Sequence, residues 1–88
     1  ARFSRQVVAG RSRALWLQGR LATLRGRPRR AARLFRRAWR IAARHRMTPD
    51  EAAALISLAG LTGEEAPRRE AARLLGAPGE RPWFVDDA

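Results

Sequence analysis

The chain has no cysteine, no tyrosine and no lysine, and its first 49 residues contain neither Asp nor Glu. Each absence excludes something. Without cysteine there is no disulfide and no thiolate zinc site, and a single histidine, His45, leaves no set of transition-metal ligands. No uninterrupted apolar run approaches the roughly 18 residues that cross a bilayer. No apolar core of about 7–15 residues follows the first arginines, as a secretory signal would require. The missing acids matter most. Residues 1–49 carry fifteen arginines and a formal charge of +15. Residues 50–88 carry four arginines and eight acids, a formal −4, and together they give the chain's +11. A GC-rich coding bias would explain Arg in place of Lys, but not the absent carboxylates. A self-balanced helical protein interleaves both signs; this one leaves a positive surface whose natural complement is an external polyanion.

What is present is helix-forming material, largely Ala, Leu and Arg, in 88 residues that suffice for one small domain. Arg-rich, acid-free amphipathic sequence is also the composition of a mitochondrial transit peptide, but this basic region is longer and more regularly patterned than such a segment needs. Phe3, Val7, Gly10, Ala14, Leu17, Leu21 and Leu24 recur at alternating spacings of four and three. That stripe lies on one helix face and is expected to build the core. Gly10 and Gly19 each weaken a helix by about 1 kcal/mol relative to Ala. Two explanations stay open: close packing, or a break near Gly10 with a restart capped by Ser12. Gly26 and Pro28 predict a tight turn.

The second helix is predicted over 28–46. Ala31, Leu34, Phe35, Ala38, Trp39, Ile41 and Ala42 share one side at about 100° per residue. Arg29, Arg30, Arg33, Arg36, Arg37, Arg40 and Arg44 share the other, within an arc of about 120°. Thr48, Pro49, Asp50 and Glu51 predict a capping box that opens a third helix over 49–59, with Ala52, Leu55, Ile56 and Leu58 as its apolar set. A fourth helix is expected over 67–75. Its start is ambiguous, because Thr62 to Glu65 also fits a capping box that would put Pro67 inside the helix. The domain is therefore expected to span 1–76, and residues 77–88, rich in Pro and Gly, to form an extended tail.

Arg29 to Phe35 (Arg-Arg-Ala-Ala-Arg-Leu-Phe) repeats as Arg69 to Leu75 (Arg-Glu-Ala-Ala-Arg-Leu-Leu) with no gap, and the same offset relates Leu15 to Leu55 and Gly19 to Ala59. Repeats of this length are the mark of stacked helical hairpins. The first copy resembles a tetratricopeptide repeat: Leu15, Gly19 and Ala22 match its first-helix positions, Ala31, Phe35 and Ala38 its small–large–small second-helix positions, and Gly26 its turn. The likeness is good over residues 11–45 and poor over 51–75. Pro78 stands where a small residue is expected after Leu75, and Ala43 where the repeat's proline belongs. The resemblance implies an all-α fold of two stacked antiparallel hairpins and a scaffolding role, with no catalytic residues to carry over.

The arginine face is the leading functional signal. Arg contacts phosphate or carboxylate bidentately and stacks on bases. The candidate polyanion-binding residues are Arg13, Arg20, the seven arginines of the second helix, and Trp16. For Trp16 two uses compete: stacking on a nucleobase, or a cation–π contact with Arg20 and burial under a neighbouring helix. Phe35 and Trp39 read as core. Trp83 and Phe84, followed by Asp86 and Asp87, form a candidate docking tail; the alternatives are a cover for the open end of the stack or a fold-back onto the arginines. The acid pairs Asp50/Glu51, Glu64/Glu65 and Asp86/Asp87 are sequence neighbours that diverge by about 100° on a helix, so they do not converge on a substrate atom; the first two read as caps. His45 reads as a favourable charge at a helix C-terminus.

The expectation is a non-catalytic binding module, without cofactor or metal, working as a small subunit of a larger assembly in the cytoplasm or an organelle matrix. RNA is the leading partner. An adaptor for an acidic peptide or protein is the rival, and a membrane-surface helix a remote third.

Overall fold

Four helices follow one another through very short connections. A computed structural model describes residues 5–76, with side chains from residue 10 onward. The predicted tail 77–88, with Trp83 and Phe84, lies outside the described residues. Helix α1 spans Arg5–Leu24, α2 Pro28–Arg44, α3 Thr48–Thr62 and α4 Glu65–Leu75. Connections of two or three residues force consecutive helices to double back, and α1 packs on α2, α2 on α3 and α3 on α4, with a smaller α1–α3 contact. The fold is all-α, two stacked antiparallel hairpins, the architecture expected from the internal repeat.

Backbone chemistry closes each turn. After α1, the Arg27 amide donates to the Ala22 carbonyl (2.9 Å) and the Gly26 amide to that of Thr23 (3.1 Å), a Schellman motif with Gly26 left-handed at φ 71°. The end of α2 repeats it: Met47 donates to Ala42 (2.8 Å) and Arg46 to Ala43 (3.2 Å). Here an arginine holds the left-handed position, at φ 54°. After α3, Gly63 is left-handed and donates to Ala59 at 2.8 Å. Helix α4 starts two residues before the predicted boundary; Pro67 is its third residue, where no amide donor is needed.

The core is built from small residues. Ala22, Ala31, Ala32, Leu34, Phe35 and Leu58 form one buried cluster, with Leu15, Trp16 and Leu61 packed against it. On α2 the expected apolar face is buried at Ala31, Leu34, Phe35, Ala38 and Ala42, while Trp39 and Ile41 are half-buried. On α3, Ala52, Leu55 and Leu58 are buried as expected, but Ile56 is exposed.

Helix α1 departs from its reading in two ways. It runs unbroken through Gly10, so the restart at Ser12 does not occur. More importantly, the leucine stripe is not the core face: Leu17, Leu21 and Leu24 are 59%, 46% and 81% exposed. From residue 10 onward, the buried positions of α1 are Ser12, Gly19 and Ala22, with Leu15 and Trp16 half-buried. Close approach explains the choice. A Cβ on Gly19 would sit 2.6 Å from Phe35 Cε1, so the glycine makes the hollow that the phenyl ring fills. Ser12 satisfies its buried hydroxyl by donating to the Ala38 carbonyl at 3.1 Å.

Candidate polyanion interface

Helix α2 presents its arginines as the 120° arc requires. Arg29, Arg30, Arg33, Arg37, Arg40 and Arg44 are exposed and Arg36 is half-buried at the edge of the arc. The arc is bounded by two grooves. On the α3 side, a groove of about 640 Å³ brings Arg29, Arg33 and Arg36 against Leu61 and Thr62, with Ala32 and Pro28 also lining it. On the α1 side, a groove of about 220 Å³ joins Arg30 to Arg25 and Arg27 over Leu21, Ala22 and Leu34. Both combine guanidinium groups with apolar lining, a surface on which a planar or anionic group loses little on leaving water.

Among the described residues, no acid pairs with this charge: none of the seven α2 arginines has a carboxylate within ion-pair distance. The first turn of α2 holds no acid and no side chain caps it. Two arginines, Arg29 and Arg30, occupy that turn instead, against the positive end of the helix dipole. The contrast with α4 is instructive. There Arg73 donates to its own neighbour Glu70, with Nε at 3.1 Å from Oε2. The hydrogen bond from Arg73 holds the Glu70 carboxyl below its ordinary pKa, and the same bond raises Arg73.

Two arginines of α1 stand apart from this face. Arg13 Nε lies 2.9 Å from Asp50 Oδ1, and Arg20 stacks with its Cζ 5.1 Å from the Trp16 ring centre. The indole N–H of Trp16 donates to Ser57 Oγ at 2.9 Å. Of the two uses weighed for Trp16, the structure shows the cation–π contact and partial burial against α3. Arg13, Arg20 and Trp16 thus gather at the α1–α3 junction rather than with the arginines of α2.

The acids at the start of α3 are not caps. Met47, not Thr48, occupies the N-cap position, and no side chain bonds the helix end. Asp50 is buried and takes Arg13; Glu51 accepts from the Trp39 indole at 3.2 Å. Pro49 fixes the first turn so that these carboxylates project toward α1 and α2. Conversely, Arg25 and Arg27 are interface candidates that the helical periodicity misses, because they lie in the turn. The signal for them is Gly26, whose left-handed backbone folds residue 27 back beside the start of α2.

Among the described residues, no group of three His, Asp or Glu side chains is placed to hold a metal ion, and no helix is long and apolar enough to cross a membrane. The chain matches no protein-family model, no curated protein and no solved structure with which it was compared.

Proposed function

We propose that this chain is a non-catalytic, tetratricopeptide-like binding module that docks a polyanion, RNA foremost, on the arginine arc of α2 and the two grooves beside it. One observation carries the reading: six of the seven α2 arginines are exposed and, among the described residues, none of the seven has a carboxylate within ion-pair distance. Like charges four apart on a helix cost about 0.2–0.5 kcal/mol per pair, and a partner that neutralises them removes that cost. The repeat likeness is supported by burial. Gly19 faces Phe35, Ala22 shares a buried cluster with Ala31 and Phe35, and of the positions offset by forty Ala59 and Ala71 are buried, Leu75 is half-buried and Thr62 is exposed.

Recognition on such a surface is by backbone and shape. The arc offers guanidinium forks for phosphates, and the apolar lining of the grooves offers a seat for a sugar or base edge. The test is binding to an unstructured single-stranded RNA of mixed sequence, followed by fluorescence anisotropy across a salt series. The expected result is affinity that falls linearly with log salt, at a slope of about −0.7 for each phosphate neutralised. Failure to bind RNA at low salt, with saturable binding to an acidic protein that persists at about 0.5 M salt, would replace this reading with the adaptor.

A further inference from the structure

The exposed stripe of α1 has the geometry of a coiled-coil seam. Gly10, Ala14, Leu17, Leu21 and Leu24 follow the strict four–three spacing, a mean period of 3.5, and the sequence extends it back through Val7 to Phe3. None of these five described positions is buried by the other described residues. The residues that the body of the protein does cover, Ser12, Leu15, Trp16, Gly19 and Ala22, are the b, c and f positions of the same heptad, on the opposite side. One helix therefore has two working faces: small residues hold it to α2, and leucines point away.

The residues that flank a seam, at e and g, select the partner. Here they are Arg11, Arg13, Gln18, Arg20 and Arg25, and α1 contains no acid at all. Arg13 and Arg20 already meet Asp50 and Trp16, while Arg11 and Arg25 are exposed beside the leucines. A second copy of this chain would set arginine against arginine or glutamine in either orientation. The narrow seam also differs from the wide apolar face of a helix that lies in lipid. We infer that α1 docks an amphipathic helix of another protein, with leucine-type residues along its contact stripe and glutamates beside them. A helix on α1 would cover Leu21 and Arg25 of the α1-side groove but leaves the exposed α2 arginines and the α3-side groove open, so a polyanion held there can be bound at the same time.

The probe is a synthetic helix of about three heptads with Leu at a and d and Glu at e and g, titrated into the 88-residue chain and followed by calorimetry. A matched peptide with Lys at e and g is the control. Saturable one-to-one binding of the Glu peptide alone is expected, weakened about a hundredfold by Leu17→Gln with Leu21→Gln. Arg11→Glu with Arg25→Glu keeps the leucines and should move the preference toward the Lys peptide. Three results overturn the inference: equal binding of both peptides, binding that survives loss of the leucines, or no binding by either peptide. Sedimentation of the protein alone as a dimer that the Leu17→Gln, Leu21→Gln variant dissolves would assign the seam to a second copy. Capture by anionic vesicles, abolished by the same pair, would assign it to a membrane. Either result also overturns it.

Discussion

Arg13 and Asp50 meet at 2.9 Å, Nε to Oδ1, across 37 positions of sequence. The first carboxylate of the chain is thus spent on α1, at the point where α3 begins. Asp50 is 4% exposed and Arg13 about half exposed, so the pair is half screened by water. A double-mutant cycle of Arg13→Gln and Asp50→Asn should show a coupling of about 1 kcal/mol in urea unfolding. Arg13→Gln should be the costlier single change, because it leaves the buried Asp50 carboxylate without its cation, whereas Asp50→Asn keeps an acceptor for the half-exposed guanidinium. A coupling within error of zero would mean that the contact orients α3 without stabilising it.

This pair also shows where the sequence could be read and where it could not. Helix α2 was legible because its apolar and arginine positions separate cleanly at 100° per residue: five of the seven apolar positions are buried and six of the seven arginines exposed, with Trp39, Ile41 and Arg36 half-buried. Helix α1 was misleading because the periodicity finds the largest apolar side chains, whereas the fold buries the smallest. Gly19, Ala22 and Ser12 let two helices approach; the leucines are left outside. Asp50 and Glu51 satisfy a local capping pattern, yet their partners are 37 and 12 residues away. Local rules cannot see such partners. The arginine arc was legible as a surface, but its two grooves were not, since they depend on Leu61 and on the turn arginines Arg25 and Arg27.

The two glycines of α1 should respond oppositely to the same substitution. At Gly10 an added Cβ meets nothing within 4 Å, so Gly10→Ala should gain helix propensity, up to about 1 kcal/mol. At Gly19 the Cβ would press into the buried Phe35 ring at 2.6 and 2.7 Å. Overpacking of about 1–3 kcal/mol outweighs the propensity gain, and Gly19→Ala should destabilise. Phe35→Leu in the Gly19→Ala background should cost less than Phe35→Leu alone. Thermal unfolding of these four variants beside the parent chain checks the sign at each site; equal stabilisation at both glycines would mean that Phe35 moves aside freely.

The matched Schellman turns give a second pair of opposite outcomes. Arg46 holds a left-handed conformation that costs a non-glycine residue about 1–2 kcal/mol. Arg46→Gly removes that strain but frees the unfolded chain, which returns about 0.5–1 kcal/mol of the gain. A net stabilisation of about 0.5–1 kcal/mol is expected. Gly26→Ala, which introduces the same strain at the first turn, should destabilise by about 1 kcal/mol. If Arg46→Gly lowers stability, the arginine side chain contributes more at that turn than its backbone loses.

Trp16 and the α2 arginines should separate stability from binding. The Trp16 indole donates to Ser57 and lies under Arg20, so its contribution is spent inside the chain. Trp16→Phe loses that hydrogen bond and part of the ring surface, at a cost of about 1–2 kcal/mol in urea unfolding, with the salt slope for RNA unchanged. Arg33, Arg37 and Arg40 are exposed and unpaired among the described residues. Replacing all three with Gln should leave the circular dichroism spectrum and stability intact, or slightly improved through relief of like-charge repulsion. RNA affinity should fall by about 1 kcal/mol or more at low salt, and the log–log salt slope should become shallower by about 2, three phosphate contacts having been lost. Weakened RNA binding in Trp16→Phe with an unchanged slope would return the indole to the interface as a stacking surface. An unchanged slope in the triple variant would remove the α2 arc from contact with the polyanion.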